Sequence, residues 1–256
     1  YWLSGGRSYR QFSFLIDCIK EVQLGLDKLN TQMEVFEGSY SDLSVYIENH
    51  YPQSKIHLNH STDTSYYRDQ MKKFKDRFKD SSRLTVYEDF GIQTQEFNRD
   101  RWSIDWNRQM KARRYDIPKP NLIRKSINLM DFDTFLDRSK DLIQEGFQRG
   151  GTNAAKELMN SFFLRRSDGY SRKMSSPNEA EDSCSRLSPH ITFGSISIRE
   201  LYQQLQDYYP QSPFKKDLYS FRKRLYWHCH FIQKLETEPE LEFNSMHSMC
   251  DSLRES

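Results

Sequence analysis

The chain has 256 residues, 36% hydrophobic and 29% charged, with 17 Phe, 15 Tyr and 4 Trp available to fill one large core or two modest ones. Its mean hydropathy of −0.89 fits a polar surface, and no apolar run approaches the roughly 20 residues of a membrane-spanning helix. A net charge of +2 is too small to argue for a polyanionic partner, so only local basic runs, "RQMKARR" (108–114) and "KKDLYSFRKR" (215–224), bear on that question.

Residues 9–29 place Phe12, Leu15, Ile16, Ile19, Val22 and Leu29 on one helical face. A short β-branched and aromatic run follows at 32–37. The stretch 41–51 reads as a helix capped by Ser41, with Leu43, Tyr46 and Ile47 inward. Residues 55–59 read as a second strand. An amphipathic helix at 64–80 carries Tyr67, Met71, Phe74 and Phe78, and 83–89 reads as a third strand. This alternation predicts a Rossmann-like α/β domain, a parallel sheet with helices on its faces, over residues 1–93. Such a layer normally opens on a strand, so its first strand is expected to lie outside the sequence. A start without Met and a stop at "CDSLRES" fit the same expectation, a piece of a longer protein.

Residues 94–130 lose any period and read as a connector, with helix around Trp102 to Met110. Trp102 and Trp106 have i, i+4 spacing and read as a packing pair. No strand signal appears after residue 90. Helical patterns follow at 131–147, with Phe135, Leu136, Leu142 and Ile143 inward, at 152–166 from a Thr cap, and at 196–209 and 213–236. Residues 131–256 are therefore expected to form an all-α domain.

Cys18, Cys184, Cys229 and Cys250 show neither disulfide nor zinc spacing, which predicts reduced thiols and a cytoplasmic or nuclear location. No secretory leader pattern is visible. His228, His230, His247 and Cys250 make a poor metal set, because helical residues two apart point about 200° apart. No metal is expected.

The stretch "SCSRLSPHITFGSISIREL" (183–201) sets Ser185 and Ser188 beside a Ser-Pro helix start. Pro is tolerated where the amide has no helical partner, and a helix start offers free N–H groups and a positive dipole end to an anion. Plain capping explains most such patterns, and a diphosphate cradle is the sharper alternative.

In order, "GGTNAAKELMNSFFLRRSDGYSRKMSSP" (150–177), the stretch just quoted and "LYWHCHF" (225–231) resemble the cryptochrome/DNA photolyase family. The likeness runs through the helical half, and the α/β half agrees in element order. It implies a helical domain that binds FAD, with Tyr170 on the flavin and Ser185, Leu187 and Ser188 at the phosphate and ribityl section. Arg186 belongs to the same motif in a mainly structural role. Cys184 stands where the family usually has Thr, exchanging a hydroxyl for a weak thiol. At the DNA-facing positions, Arg224 stands where photolyases usually have a dimer-contacting Glu. Trp227 matches the aromatic that packs on the flipped lesion, and His228 stands where Arg is common.

The resemblance also implies a reaction. Reduced flavin, excited by blue light, gives an electron to a pyrimidine dimer turned out of DNA, as in a deoxyribodipyrimidine photo-lyase. Basic segments such as 215–224 would hold DNA phosphates. A monomer is expected, and an antenna chromophore is left open. The family's other flavin contacts fall beyond residue 256, so this chain alone is expected to be inactive. Two other readings stay open. One is a cryptochrome-like light sensor without repair activity, which Arg224 favours. The other is an α/β domain with a helical appendage and no cofactor. His190 is expected to be a hydrogen-bonded structural residue.

Overall fold

The computed structural model describes residues 8–31, 33–88, 91–94, 97–116 and 130–251. Most of the Pro-rich run at 116–122 lies outside these residues. Tyr9–Lys28 forms helix α1, started by Ser8, whose hydroxyl and Gln11 satisfy each other's backbone amides. A two-residue strand β1 (Glu34–Val35) and helix α2 (Tyr40–His50) follow. The cap of α2 is Ser39 rather than Ser41, because Asp42 stands at the third helical position and completes the reciprocal pair. Strand β2 (Ile56–Asn59), helix α3 (Ser65–Phe78), strand β3 (Leu84–Tyr87) and helix α4 (Arg99–Lys111) come next. Then come β4 (Met130–Asp131), α5 (Phe132–Ser139), α6 (Thr152–Ser161), α7 (Tyr170–Lys173), α8 (Ala180–Ser183) and α9 (Ser188–Thr192). Two longer helices, α10 (Ile198–Tyr208) and α11 (Lys215–Thr237), complete the described order.

The sheet differs from the expectation. β2 and β3 pair in parallel, with Ile56 opposite Leu84 and Asn59 opposite Tyr87, and α3 is their crossover. β1 does not join them. It pairs antiparallel with β4, Glu34 opposite Asp131, and β4 is itself a strand after residue 90. Among the described residues the sheet structure is thus one βαβ unit and one separate two-residue ladder, short of a Rossmann-like layer.

Two compact units interleave along the chain. The first comprises 1–36 and 112–223, and the second 37–111 and 224–256, so α11 contributes to both. In the first, Phe12, Phe14 and Ile16 of α1 are buried, as are Leu201, Tyr202 and Leu205 of α10. Phe162 lies edge-on to Tyr170 at 5.3 Å and to Phe221 at 4.8 Å. Val22 is 54% exposed, so the buried stripe of α1 stops a turn earlier than its periodicity predicts. In the second unit Trp102 and Trp106 are buried, both edge-on to Tyr226 at 4.7 and 5.2 Å, as expected of packing residues.

Two helices of the first unit depart from their predicted bounds. The helix expected over 131–147 is α5, eight residues long and capped by Asp131, followed by a tight turn at Lys140–Leu142. α6 has Gly151, not Thr152, as its cap, at φ +96°, where a side chain is strained. Its first amides, Thr152 and Asn153, donate instead to the Glu21 carboxylate of α1. The segment Phe162–Arg166 continues α6 as a π-helical turn.

Candidate functional site

A cavity of about 450 Å³ opens in the first unit, within the range of small-ligand and cofactor sites. The segment from Cys184 to Pro189 forms one wall, with Tyr170 at the start of α7 and Phe193 just past α9. Arg10, Gln11 and Phe14 of α1, with Gln148, line the rest. All six residues predicted for the cofactor, Tyr170, Cys184, Ser185, Arg186, Leu187 and Ser188, therefore meet at one cavity.

Local physics sets each of them. Asp217 on α11 accepts hydrogen bonds from the amides of Gly169 (3.2 Å) and Ser171 (2.7 Å), fixing the start of α7 and with it Tyr170. Burial pushes the Asp217 carboxyl up, but the Ser171 and Gly169 bonds, helped by Arg172, outweigh it, so its pKa lies below the ordinary value. Tyr170 is buried between Phe162 and Phe221. The Ser185 hydroxyl accepts the Leu187 amide at 3.4 Å, a local turn bond. Arg186 stands at φ +60°, uncommon for a non-glycine residue, and the next residue, Leu187, returns to the right-handed region. The Arg186 carbonyl accepts Gln148 Nε2 at 2.8 Å, and its guanidinium lies 3.6 Å from Glu181. Burial raises the Cys184 thiol pKa against the smaller pull of Arg186 and Arg166, which leaves a protonated, weak donor at the wall.

The helix starting at Ser188 has only five residues, too few for a substantial dipole. The wall owes its character to the turn before it. Among the described residues the lining includes two guanidinium groups, Arg10 and Arg186, and no carboxylate, while Phe14, Tyr170, Leu187, Pro189 and Phe193 supply apolar surface. Such a surface suits a ligand with one anionic and one aromatic part. FAD meets that description, and the residues present fit it. The share of α1 and Gln148 was missed in the sequence, because α1 approaches the wall from more than a hundred positions away and Gln148 from 38.

His190 does not line this cavity. It is fully buried, edge-on to Phe14 at 4.8 Å. The ring is structural, as expected; among the described residues neither ring nitrogen meets full hydrogen-bonding geometry, and the Gly151 backbone is the main polar group acting on it. Burial holds its pKa below the ordinary value, against the smaller upward pull of the Gly151 backbone and Glu21, so the ring is neutral and acts as an aromatic filler.

The three predicted DNA-contact residues lie on the part of α11 that belongs to the second unit. Arg224 is exposed, Trp227 is 45% exposed and His228 is half-buried. Their i, i+3 and i, i+4 spacing places them on one side of the helix. Trp227 rests against His230 at 5.4 Å and Phe231 at 5.6 Å. In the basic stretch before them, Arg222 and Lys223 lie over the Tyr219 ring at 4.8 and 4.6 Å.

No protein-family model matches the chain, and no curated protein matches it by sequence. Solved structures do. A class III photolyase from Agrobacterium tumefaciens matches with a TM-score of 0.72 and 16% identity, over 97% of this chain and 54% of its own. An archaeal photolyase from Sulfolobus tokodaii, which holds two FAD molecules, matches with a TM-score of 0.64 and 21% identity, over 96% and 53%. A cryptochrome from Synechocystis sp. PCC6803 matches with a TM-score of 0.68 and 16% identity, over 92% and 52%. The chain has the fold of photolyases and cryptochromes and spans about half the length of these structures. Among the described residues, no helix is long and apolar enough to cross a membrane.

Proposed function

We propose that this chain is the part of a photolyase/cryptochrome-type flavoprotein that holds FAD at the cavity of the first unit. The observation that carries the reading is the convergence of Tyr170 and Cys184–Ser188 on one cavity lined by apolar side chains and by Arg10 and Arg186, with no carboxylate among the described lining residues. Arg10 and Arg186 would neutralise the diphosphate, and Tyr170, Phe14 and Leu187 would cover the apolar part. When bound, FAD supplies blue-light absorption and the electron that opens a dimer.

For the full-length protein the reading is a deoxyribodipyrimidine photo-lyase acting on pyrimidine dimers in DNA. Trp227 is exposed enough to stack on an unpaired base, an interaction worth about 1–3 kcal/mol per base. Arg224 supports the second reading, a blue-light sensor without repair activity. An arginine cannot accept a hydrogen bond from the dimer's bases as a glutamate would.

The test is to purify the full-length protein in the dark, record its absorption spectrum, and then add dimer-containing single-stranded DNA under blue light. Retained flavin with restored monomers supports the photolyase. Retained flavin without repair supports the sensor, and a colourless protein that takes up no added FAD removes both.

A further inference from the structure

We infer that Arg166, which does not line the cavity, is the positioning residue of its anion-facing wall. The inference rests on the flavin reading for its natural ligand and on the structure alone for its geometry. The guanidinium stands behind the 184–186 backbone and donates to the carbonyls of Cys184 and Ser185, the latter at 3.3 Å. It is anchored to α6 through the Leu158 carbonyl at 2.8 Å and the Ser161 hydroxyl at 3.1 Å, and it lies over the Phe162 ring at 5.8 Å. The π-helical turn Phe162–Arg166 aims it there, displacing Arg166 from the position a regular helix would give it.

A trans peptide directs its N–H opposite to its C=O. With the Cys184 and Ser185 carbonyls held on Arg166, the amides of Ser185 and Arg186 turn to the other side of the strand of backbone. Among the described residues, neither amide has an acceptor. Gln148 holds the next carbonyl, that of Arg186, in the same way. The left-handed Arg186 followed by the right-handed Leu187 is a nest-like arrangement that turns the amides from Arg186 onward toward a common concavity, with the Ser185 amide directed by its own peptide plane. Among the described residues no carboxylate lies within ion-pair distance of Arg166, and Asp182 acts on it only through space, so its hydrogen bonds to the wall carbonyls are its main role. Arg166 thus acts through the backbone on the diphosphate end of a ligand and not on its aromatic end.

The experiment compares the full-length protein with Arg166→Met, and with Arg166→Gln should the Met variant fail to fold. FAD, ADP and riboflavin are titrated into each, and the Ser185 and Arg186 amide resonances of 15N-labelled protein are followed with each ligand and with inorganic pyrophosphate. The expected result is about a tenfold or greater loss of FAD and ADP affinity, equivalent to one charged hydrogen-bond contribution, with riboflavin affinity within about twofold. Equal losses for FAD and riboflavin would mean a general structural role and overturn the inference, as would no loss for either. If the wild type binds no flavin, but pyrophosphate shifts the two amides in the wild type and not in the variant, the flavin reading falls and the role of Arg166 stands. Amides that respond to no ligand in the wild type overturn it.

Discussion

The wall Cys184–Ser188 and the helical face Arg224–Phe231 present opposite kinds of surface. The wall offers backbone, recessed and braced from behind by Arg166 and from the side by Gln148, with its side chains largely committed to shaping a turn. The helical face offers side chains, with Trp227 and Phe231 standing out from a regular helix that needs no special support. A backbone site depends on residues remote in sequence that fix peptide planes. A side-chain site on a helix depends on little beyond the helix. Substitutions at a distance should therefore damage the first and leave the second intact.

The largest effect is expected at Gly150. A Cβ there would collide with the Phe14 carbonyl and lie 2.9 Å from Cys18 Sγ, in the contact that seats α1 against the turn before α6. Gly150→Ala should cost about 3 kcal/mol in urea unfolding, at the upper end for overpacking, and should abolish flavin retention, because α1 carries Arg10, Gln11 and Phe14. A variant as stable as the wild type would show that α1 is not held this way.

Glu21→Ala comes next. It removes the acceptor of the Thr152 and Asn153 amides and should cost about 1–2 kcal/mol, the range of a lost helix cap, measured by thermal unfolding. Asp217→Asn should cost about 1 kcal/mol, discounted for partial exposure, and should also change the pH dependence. The folded-state pKa of Asp217 is lowered, so its contribution is complete above the ordinary carboxylate range and is lost as pH falls through the lowered value. The wild type should lose this stability in acid, and the variant, already without it, should show a flatter profile there. Parallel profiles would contradict the account of how α7 is held.

The smallest effect on the fold is expected at Trp227. Trp227→Ala should change stability by no more than about 0.5 kcal/mol and leave flavin retention untouched. The same change should weaken single-stranded DNA binding by about 1–3 kcal/mol, read by fluorescence anisotropy at fixed salt. Loss of flavin in this variant would break the contrast between the two regions.

Local signals made much of this legible. The order of helices and strands through β3 follows periodicity, and the wall Cys184–Ser188 is a contiguous motif whose residues meet because they are neighbours in sequence. Tyr170 joins them through α7, a single short turn fixed by Asp217. What escaped depends on long-range partners. β1 reads as a third parallel strand by composition, yet its two residues pair with Met130–Asp131, a pairing no local period announces. The cap of α6 comes from Glu21, and the brace of the wall comes from Arg166 on a π-helical turn, where helical periodicity stops being a guide to direction. His190 reads as structural, but its edge-on seat against Phe14 of α1 could not be read from its neighbours.

The central claim is that the cavity bounded by Tyr170 and Cys184–Ser188 holds FAD. Its most direct test is FAD content after dark purification of the full-length protein and of Ser188→Trp, which fills the cavity at its wall, with the thermal stability of both apo-proteins measured alongside. The account predicts a wild type that retains FAD and a variant that retains none while its apo-protein melts at the same temperature. A Ser188→Trp protein that keeps its flavin would place the cofactor elsewhere and contradict the account.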